Sequence, residues 1–336
     1  MGSVQAVCDR CGREHLVFRS CRSRSCPRCQ SQAREAWLEA RERELLPVPY
    51  FHVVFTVPEA LNEIALYCPE VFYAALMRAA GNALLDVGRS KLKAELGCLA
   101  VLHTWGQNLS LHPHVHCVVP GGGFSLDRTR WVGLRNAFFL LPVKVLSRRF
   151  RTLLTQALYV AVRERKLERL PESVKAIRLI SKAGAQDWVV YAKAPFGGPE
   201  HVLEYLSAYT HRIAISNSRI SSFDGEHVTF RWRDYADGNR MKTSTIGAME
   251  FLRRFLMHVL PDRFVRIRYF GLLGNRNRMK RIEHARRLLG CTRVLVFKNR
   301  IKPLILCPAC HQLAAPMKTR AFVRPPPMPN SSLLSA

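Results

Sequence analysis

The stretch LHPHVHCVVPGGG, residues 111–123, sets His112, His114 and His116 at every second position. Residues i and i+2 of a strand point to the same face, so His114 and His116 present two imidazoles side by side while Val115 faces the core. His112 joins that face if the strand begins early, and Pro113 makes its neighbourhood an edge or bulge position. Paired neutral imidazoles are ligands for a divalent cation, and a third donor would complete a site with positions open for substrate oxygens. The preceding CLAVLHTWGQ, residues 98–107, can supply it. With NLSL as the connection, a hairpin pairs Gln107 with His112, Trp105 with His114 and His103 with His116, all on one face. Gln107 and His103 are therefore both candidate third ligands. Surface histidines on an ordinary strand are the plain alternative, which explains one such residue more readily than three in alternation.

A second group is phenolic. HVLEYLSAYTHRIAISNSRI, residues 201–220, holds Tyr205 and Tyr209, and a spacing of four puts both on one helical face. Arg212, Asn217 and Arg219 follow closely and offer donors to phosphates and base edges. A phenol is a weak nucleophile at its free pKa of about 10. Beside a metal and arginines its phenolate becomes accessible and can attack a phosphodiester. The product is a 5′-phosphotyrosine, which conserves the bond energy, so rejoining needs no nucleotide. No GxxxxGK[ST] phosphate loop is present. The plain alternative is an amphipathic core stripe with Leu203 and Leu206.

The third group is sulfur. Cys8-x2-Cys11 and Cys26-x2-Cys29 are two knuckles close together; each pair can span one edge of a tetrahedral zinc, and the basic linker lets them close on it. Cys21 is a fifth thiol nearby. A later pair, Cys307-x2-Cys310, lacks an obvious partner pair, and His311 or Cys291 are the candidates to complete it.

These groups need a scaffold. Residues 31–46 read as a helix stopped by Pro47 and Pro49, and residues 50–58 (YFHVVFTVP) as a strand. Residues 70–96 and 143–167 read as helices, and residues 98–107 and 112–121 as neighbouring strands. A break at 194–200 precedes a helix from about His201. RISSF, DGE and HVTFRWRDY make a β-hairpin. AMEFLRRFLMHVLP is a helix, FVRIRYFG a strand, and NRMKRIEHARRLLG a helix ended by Gly290. The Pro- and Ser-rich tail from Arg320 reads as disordered. Interleaved strands and helices predict an α/β or α+β body with a central sheet.

The chain has 336 residues, with 52 Lys and Arg against 25 Asp and Glu, a net charge of +27 spread along its length. That excess points to nucleic acid. No apolar run of about 18 residues predicts a membrane span, and the stretch MGSVQAVCDRCG does not read as a secretory signal. A cytoplasmic chain with reduced thiols is expected, so its 11 cysteines read as metal ligands or core residues.

His114-Val115-His116, the tyrosines four apart and the N-terminal SCRSRSCPRCQ together resemble the rolling-circle insertion-sequence transposases, of the two-tyrosine type of HUH endonucleases. The blocks LPVPYFHVVFTVP, YLSAYTHRIAISNSRI, EFLRRFLMHVLP and VRIRYFGLLGNRNR are similar to that family as well, so the likeness covers about residues 8–310. It implies an α+β fold with a central antiparallel sheet flanked by helices, plus a small zinc-binding module. It also implies a Mg²⁺ or Mn²⁺ site and Tyr205 and Tyr209 as nucleophiles on single-stranded DNA ends and target DNA. Replication initiators of the superfamily can carry a third ligand seven residues before the first histidine of the motif, here Gln107, which makes Gln107 the preferred third ligand. The expected organisation is a zinc module and basic helix over 1–46, a catalytic domain over 47–290, and a C-terminal knuckle and tail over 291–336. Ser25 stands where relatives tend to have histidine. A relaxase or replication initiator with the same chemistry, and a non-catalytic zinc-bearing DNA-binding regulator, are the alternatives.

Overall fold

The structure, a computed structural model, describes residues 3–8, 10–18, 37–171, 174–193, 214–235, 237–291, 310 and 318–323. Two units divide the chain: Met1–Ser31 with Val296–Ala336, and Gln32–Leu295.

The first unit is built on a three-stranded antiparallel sheet. Strands β1 (Ser3–Val7) and β2 (Glu14–Phe18) form a hairpin, and the last strand, β14 (Lys318–Val323), pairs with the other edge of β1. Residues 1–46 and 291–336, expected to be separate appendages, thus contribute strands to one sheet. Arg320–Val323, expected in a disordered tail, is strand because β1 offers it an open edge from Ser3↔Val323 to Val7↔Lys318.

The second unit carries the body. Its five-stranded antiparallel sheet has the order β13-β5-β6-β3-β9, with β3 at Tyr50–Thr56, β5 at Gly97–Trp105, β6 at Leu111–Pro120, β9 at Val190–Lys193 and β13 at Ile267–Gly271. The histidine strand β6 lies in the middle. Alternation sorts the two faces. Phe51, Val53 and Phe55 of β3, Cys98, Ala100 and Leu102 of β5, and Val115, Cys117 and Val119 of β6 are all buried in the main core. Helices α1 (Asn62–Tyr67), α2 (Pro69–Val87), α3 (Val143–Arg163) and α4 (Ala176–Gly184) contribute Ile64, Leu76, Leu84, Phe150, Leu154 and Ile180 to the same core. In α3 the buried residues Leu146, Phe150, Leu154, Leu158 and Ala161 fall at intervals of three and four, one stripe of a helix otherwise rich in arginine. The opposite parity of each strand, with all the strand histidines, is left on the other face.

β6 leaves the sheet through Pro120 and three glycines. Gly122 has φ +134, and a methyl group at Gly123 would run into the Glu95 carbonyl, so these positions need glycine. The chain then enters a small sheet of β4 (Ala94–Glu95), β7 (Gly122–Ser125) and β8 (Trp131–Gly133). A further antiparallel sheet, β10 (Ile220–Phe223), β11 (His227–Asp234) and β12 (Arg240–Gly247), contains the hairpin read from the sequence and one strand, β12, that was not. Helices α5 (Ala248–Leu256) and α6 (Arg278–Leu288) also belong to this unit, with Gly290 in the left-handed region after α6. No described helix is long and apolar enough to cross a membrane.

Candidate metal and phosphate site

The β5–β6 hairpin decides which groups meet. Its observed register is His103↔His114 and Val101↔His116, two residues out of step with the pairing expected from a four-residue connection. The turn covers residues 106–110: Gly106 N donates to Ser110 O at 2.9 Å, and Leu109 takes φ +66. Trp105 then pairs with Leu111, so two residues of β6, His112 and Pro113, stand opposite Thr104 alone. A proline cannot donate to the ladder, and a bulge absorbs it. Because side chains repeat every two residues, a slip of two changes the partners and preserves the face.

His103, His114 and His116 therefore converge, with one ring nitrogen from each within 4.8 Å of the others. His103 and His116 are 2% and 7% exposed, and His114 is half-buried. Hydrogen bonds select the ring nitrogens. His114 Nδ1 lies 2.7 Å from His112 O, so Nδ1 donates and Nε2 carries the lone pair. His116 Nδ1 lies 2.7 Å from His52 Nε2, with the two rings stacked at 5.0 Å, which makes Nε2 the nitrogen His116 can offer a cation. Burial holds these rings neutral: it pushes His114 and His52 down to about 4 and His116 well below its ordinary value. His112 is also lowered by burial, and its ring stands beside His114, 5.2 Å between centroids. Three imidazoles converging from two adjacent strands are a fitting donor set for a divalent transition-type cation and leave further coordination positions for oxygens.

Gln107 stands elsewhere. It lies in the hairpin turn beyond the end of β5, with its amide nitrogen 3.4 Å from the Tyr235 hydroxyl, and His103 occupies the position opposite His114. The register explains the difference: Gln107 would face the histidines only if the connection were shorter.

Arg219 is engaged at the same turn. Its guanidinium donates to Arg231 O at 2.7 Å and to Gln107 O, so part of the fork expected to meet phosphate is committed to backbone. Asn217 is exposed, in the turn Asn217–Arg219. Tyr205, Tyr209 and Arg212 lie outside the described residues, as do Cys26 and Cys29. Cys8 and Cys11 are described, and their sulfurs cluster with that of Cys310, all within 4.8 Å.

Several groups around the imidazoles were not read from the sequence. His52 is 6% exposed on β3; its even position in YFHVVFT, opposite in parity to Phe51, Val53 and Phe55, was the available signal. Across three strands, Tyr191↔Val54 and Val54↔His116 form one row, and Lys193↔His52 and His52↔Val118 the next, so Tyr191 and Lys193 share the histidine face. Positive charge is close: Lys193 helps depress His52, and Arg266 helps depress His116. Arg266 also lies over the Trp105 ring, Cζ 5.1 Å from its centroid, and Trp105 stacks on His103 at 4.7 Å. The site therefore combines a nitrogen donor set with cations and aromatic planes.

The chain is similar to the following known proteins. A family described as "Putative transposase" matches residues 97–281, and one described as "Transposase zinc-binding domain" matches residues 1–57. The "Putative transposase y4qJ" of Sinorhizobium fredii is 48% identical over 332 residues, 93% of this chain and 83% of that protein. The transposase for insertion sequence element IS801 of Pseudomonas savastanoi pv. phaseolicola is 28% identical over 274 residues, 79% of this chain and 64% of that one. Among solved structures, the conjugative relaxase TrwC in complex with oriT DNA aligns with a TM-score of 0.27 and 13% identity over 48% of this chain and 71% of its own. The first family covers more than half of the residues here, the β5–β6 histidine hairpin among them, and the chain belongs to this transposase family, with the family's zinc-binding domain at its N-terminus.

Proposed function

We propose that the protein nicks and rejoins single-stranded DNA during rolling-circle transposition of an insertion sequence, through 5′-phosphotyrosine intermediates. The observation that carries this reading is the convergence of His103, His114 and His116 on one face of the central sheet, in a chain whose family and relatives are transposases. His103, rather than Gln107, is the third nitrogen donor in this proposal.

A Mg²⁺ or Mn²⁺ ion held by the three imidazoles would withdraw charge from a non-bridging oxygen of the scissile phosphate. The remaining work belongs to the chain. His52 fixes the His116 ring through Nδ1, and the His112 carbonyl fixes His114. Lys193 and Arg266 favour the approach of a polyanion. Tyr205 or Tyr209, in the role their spacing and the family likeness suggest, attacks phosphorus through its phenolate oxygen. The new P–O bond to tyrosine forms as the P–O3′ bond breaks, and the 3′ oxygen departs and takes up a proton. The reverse attack by a 3′-hydroxyl rejoins a strand and frees the tyrosine. Two phenols allow one to hold a 5′ end while the other cleaves the second end or the target.

The test is incubation with single-stranded oligonucleotides from the ends of the element, with Mn²⁺ present, followed by denaturing electrophoresis. A covalent protein–DNA adduct is expected, weakened by Tyr205→Phe or Tyr209→Phe and absent from the double variant. No adduct on any terminal sequence, or an undiminished adduct in the double variant, would contradict the proposal.

A further inference from the structure

The two CxxC pairs near the N-terminus suggest a zinc site within the first thirty residues; among the described residues, the first of these pairs meets a sulfur from the other end of the chain. Cys8 and Cys11 sit at the turn of the β1–β2 hairpin, where Cys8 N donates to Arg13 O at 3.0 Å and Gly12 N to Cys8 O at 2.9 Å. Gly12, with φ +68, lets the chain turn back after the second cysteine. Cys310 Sγ lies 4.0 Å from Cys8 Sγ, about twice the ~2.05 Å of a disulfide. It is close to the ~3.8 Å edge of a tetrahedron with Zn–S bonds of ~2.3 Å. Cys11 Sγ completes the group within 4.8 Å.

The sheet supplies an independent reason for this meeting. The antiparallel register of β14 on β1 runs from Ser3↔Val323 to Val7↔Lys318. The N-terminal end of β14 therefore lies beside Val7, the residue immediately before Cys8. The chain that leads into β14 must arrive at the cysteine end of the hairpin, and Cys310 precedes Lys318 by only eight residues. Strand pairing and sulfur geometry thus select the same neighbourhood without reference to each other.

We propose that Cys8, Cys11 and Cys310 are thiolate ligands of one structural Zn²⁺ that fastens the C-terminal strand to the N-terminal hairpin. The fourth position of the tetrahedral ion is left for one further donor. Each of these thiols loses its proton on binding, so three protons leave as three Zn–S bonds form. The zinc-binding domain matched over residues 1–57 then draws a ligand from about 250 positions further on.

Alkylation of the full-length, zinc-loaded protein, with mass-spectrometric mapping of each cysteine, tests this. Cys11 is exposed, so burial alone does not protect it. Cys8, Cys11 and Cys310 are expected to resist labelling together and to become labelled together, at least tenfold faster, when a strong chelator removes the metal. Cys310→Ser is expected to lower bound zinc by close to one ion per chain and to expose Cys11 to labelling. Cys310→His, which restores a ligand, is expected to recover most of the zinc. Equal labelling of Cys310 with and without metal in the unaltered protein would overturn the proposal. Undiminished zinc and continued protection of Cys11 in Cys310→Ser would do the same.

Discussion

At the residue scale, the chemistry turns on nitrogen lone pairs and what fixes them. His52 contributes none to the cation in the proposed site, yet it sets which nitrogen of His116 is available. Partners of this kind are worth roughly 10- to 100-fold in metal affinity. His52→Ala is accordingly expected to weaken Mn²⁺ binding by about that factor in calorimetric titration, with partial recovery in His52→Gln, whose amide oxygen can accept from Nδ1. Unchanged affinity in His52→Ala would remove it from the site. His114 and His116 were legible because alternation on a strand fixes a face whatever the register. The choice between His103 and Gln107 was not, since it depends on the length of the turn and on the bulge at Pro113. His52 went unread because its parity marks only a face of β3, and only pairing with β6 brings it to His116.

At the scale of elements, the hairpin that carries the histidines is pinned from below its tip. Leu109 is fully buried with Ile215 and Phe230, and truncation of such a side chain costs about 2–5 kcal/mol. Leu109→Ala is expected to lower stability within that range in urea unfolding, and a loss below about 1 kcal/mol would show that the tip is not held this way. His258, 2% exposed, lies 3.2 Å from Leu109 O and 3.3 Å from Thr104 Oγ1, and burial pushes it down to about 4. The unfolded ring titrates near 6.5. Between those values the unfolded chain binds a proton that the folded one refuses, so stability falls as pH drops through the window, by at most about 1.4 kcal/mol per pH unit for this group. His258→Gln is expected to flatten the stability profile between pH 6.5 and 4.5, and equal slopes in the two proteins would contradict it. On the sheet surface, Tyr191 is 56% exposed in the row that contains His116. An exposed ring there suits base stacking, worth about 1–3 kcal/mol per base. Tyr191→Ala is expected to weaken single-strand binding tenfold or more by fluorescence anisotropy. The strands and helices of the central body were mostly legible, because their apolar periods are long and regular. Strand β12 was not: its alternation of polar residues resembles a loop until β11 lies beside it.

At the scale of the whole molecule, a net charge of +27 makes DNA affinity an electrostatic quantity. Single-strand binding is expected to fall with salt with a log–log slope of about −3 or steeper, as each neutralised phosphate contributes roughly 0.7. A slope near zero would exclude backbone-led binding. The two proposed metal sites belong to different units, so His114→Ala is expected to leave the tightly held zinc in place by elemental analysis. Loss of that zinc would refute their separation. The meeting of the chain ends was beyond sequence reading, because β14 pairs with β1 across more than 300 residues and no local pattern encodes so distant a partner.

In the proposed mechanism a cation held by His103, His114 and His116 prepares a DNA phosphate for attack by a tyrosine. The most direct measurement is the initial rate of covalent adduct formation on a terminal oligonucleotide, titrated with Mn²⁺, in the unaltered protein and in His103→Ala and Gln107→Ala. A loss on the order of 100-fold, or a Mn²⁺ requirement raised by a similar factor, is expected in His103→Ala, with a near-normal titration in Gln107→Ala. A normal titration in His103→Ala, or abolition in Gln107→Ala alone, would contradict it.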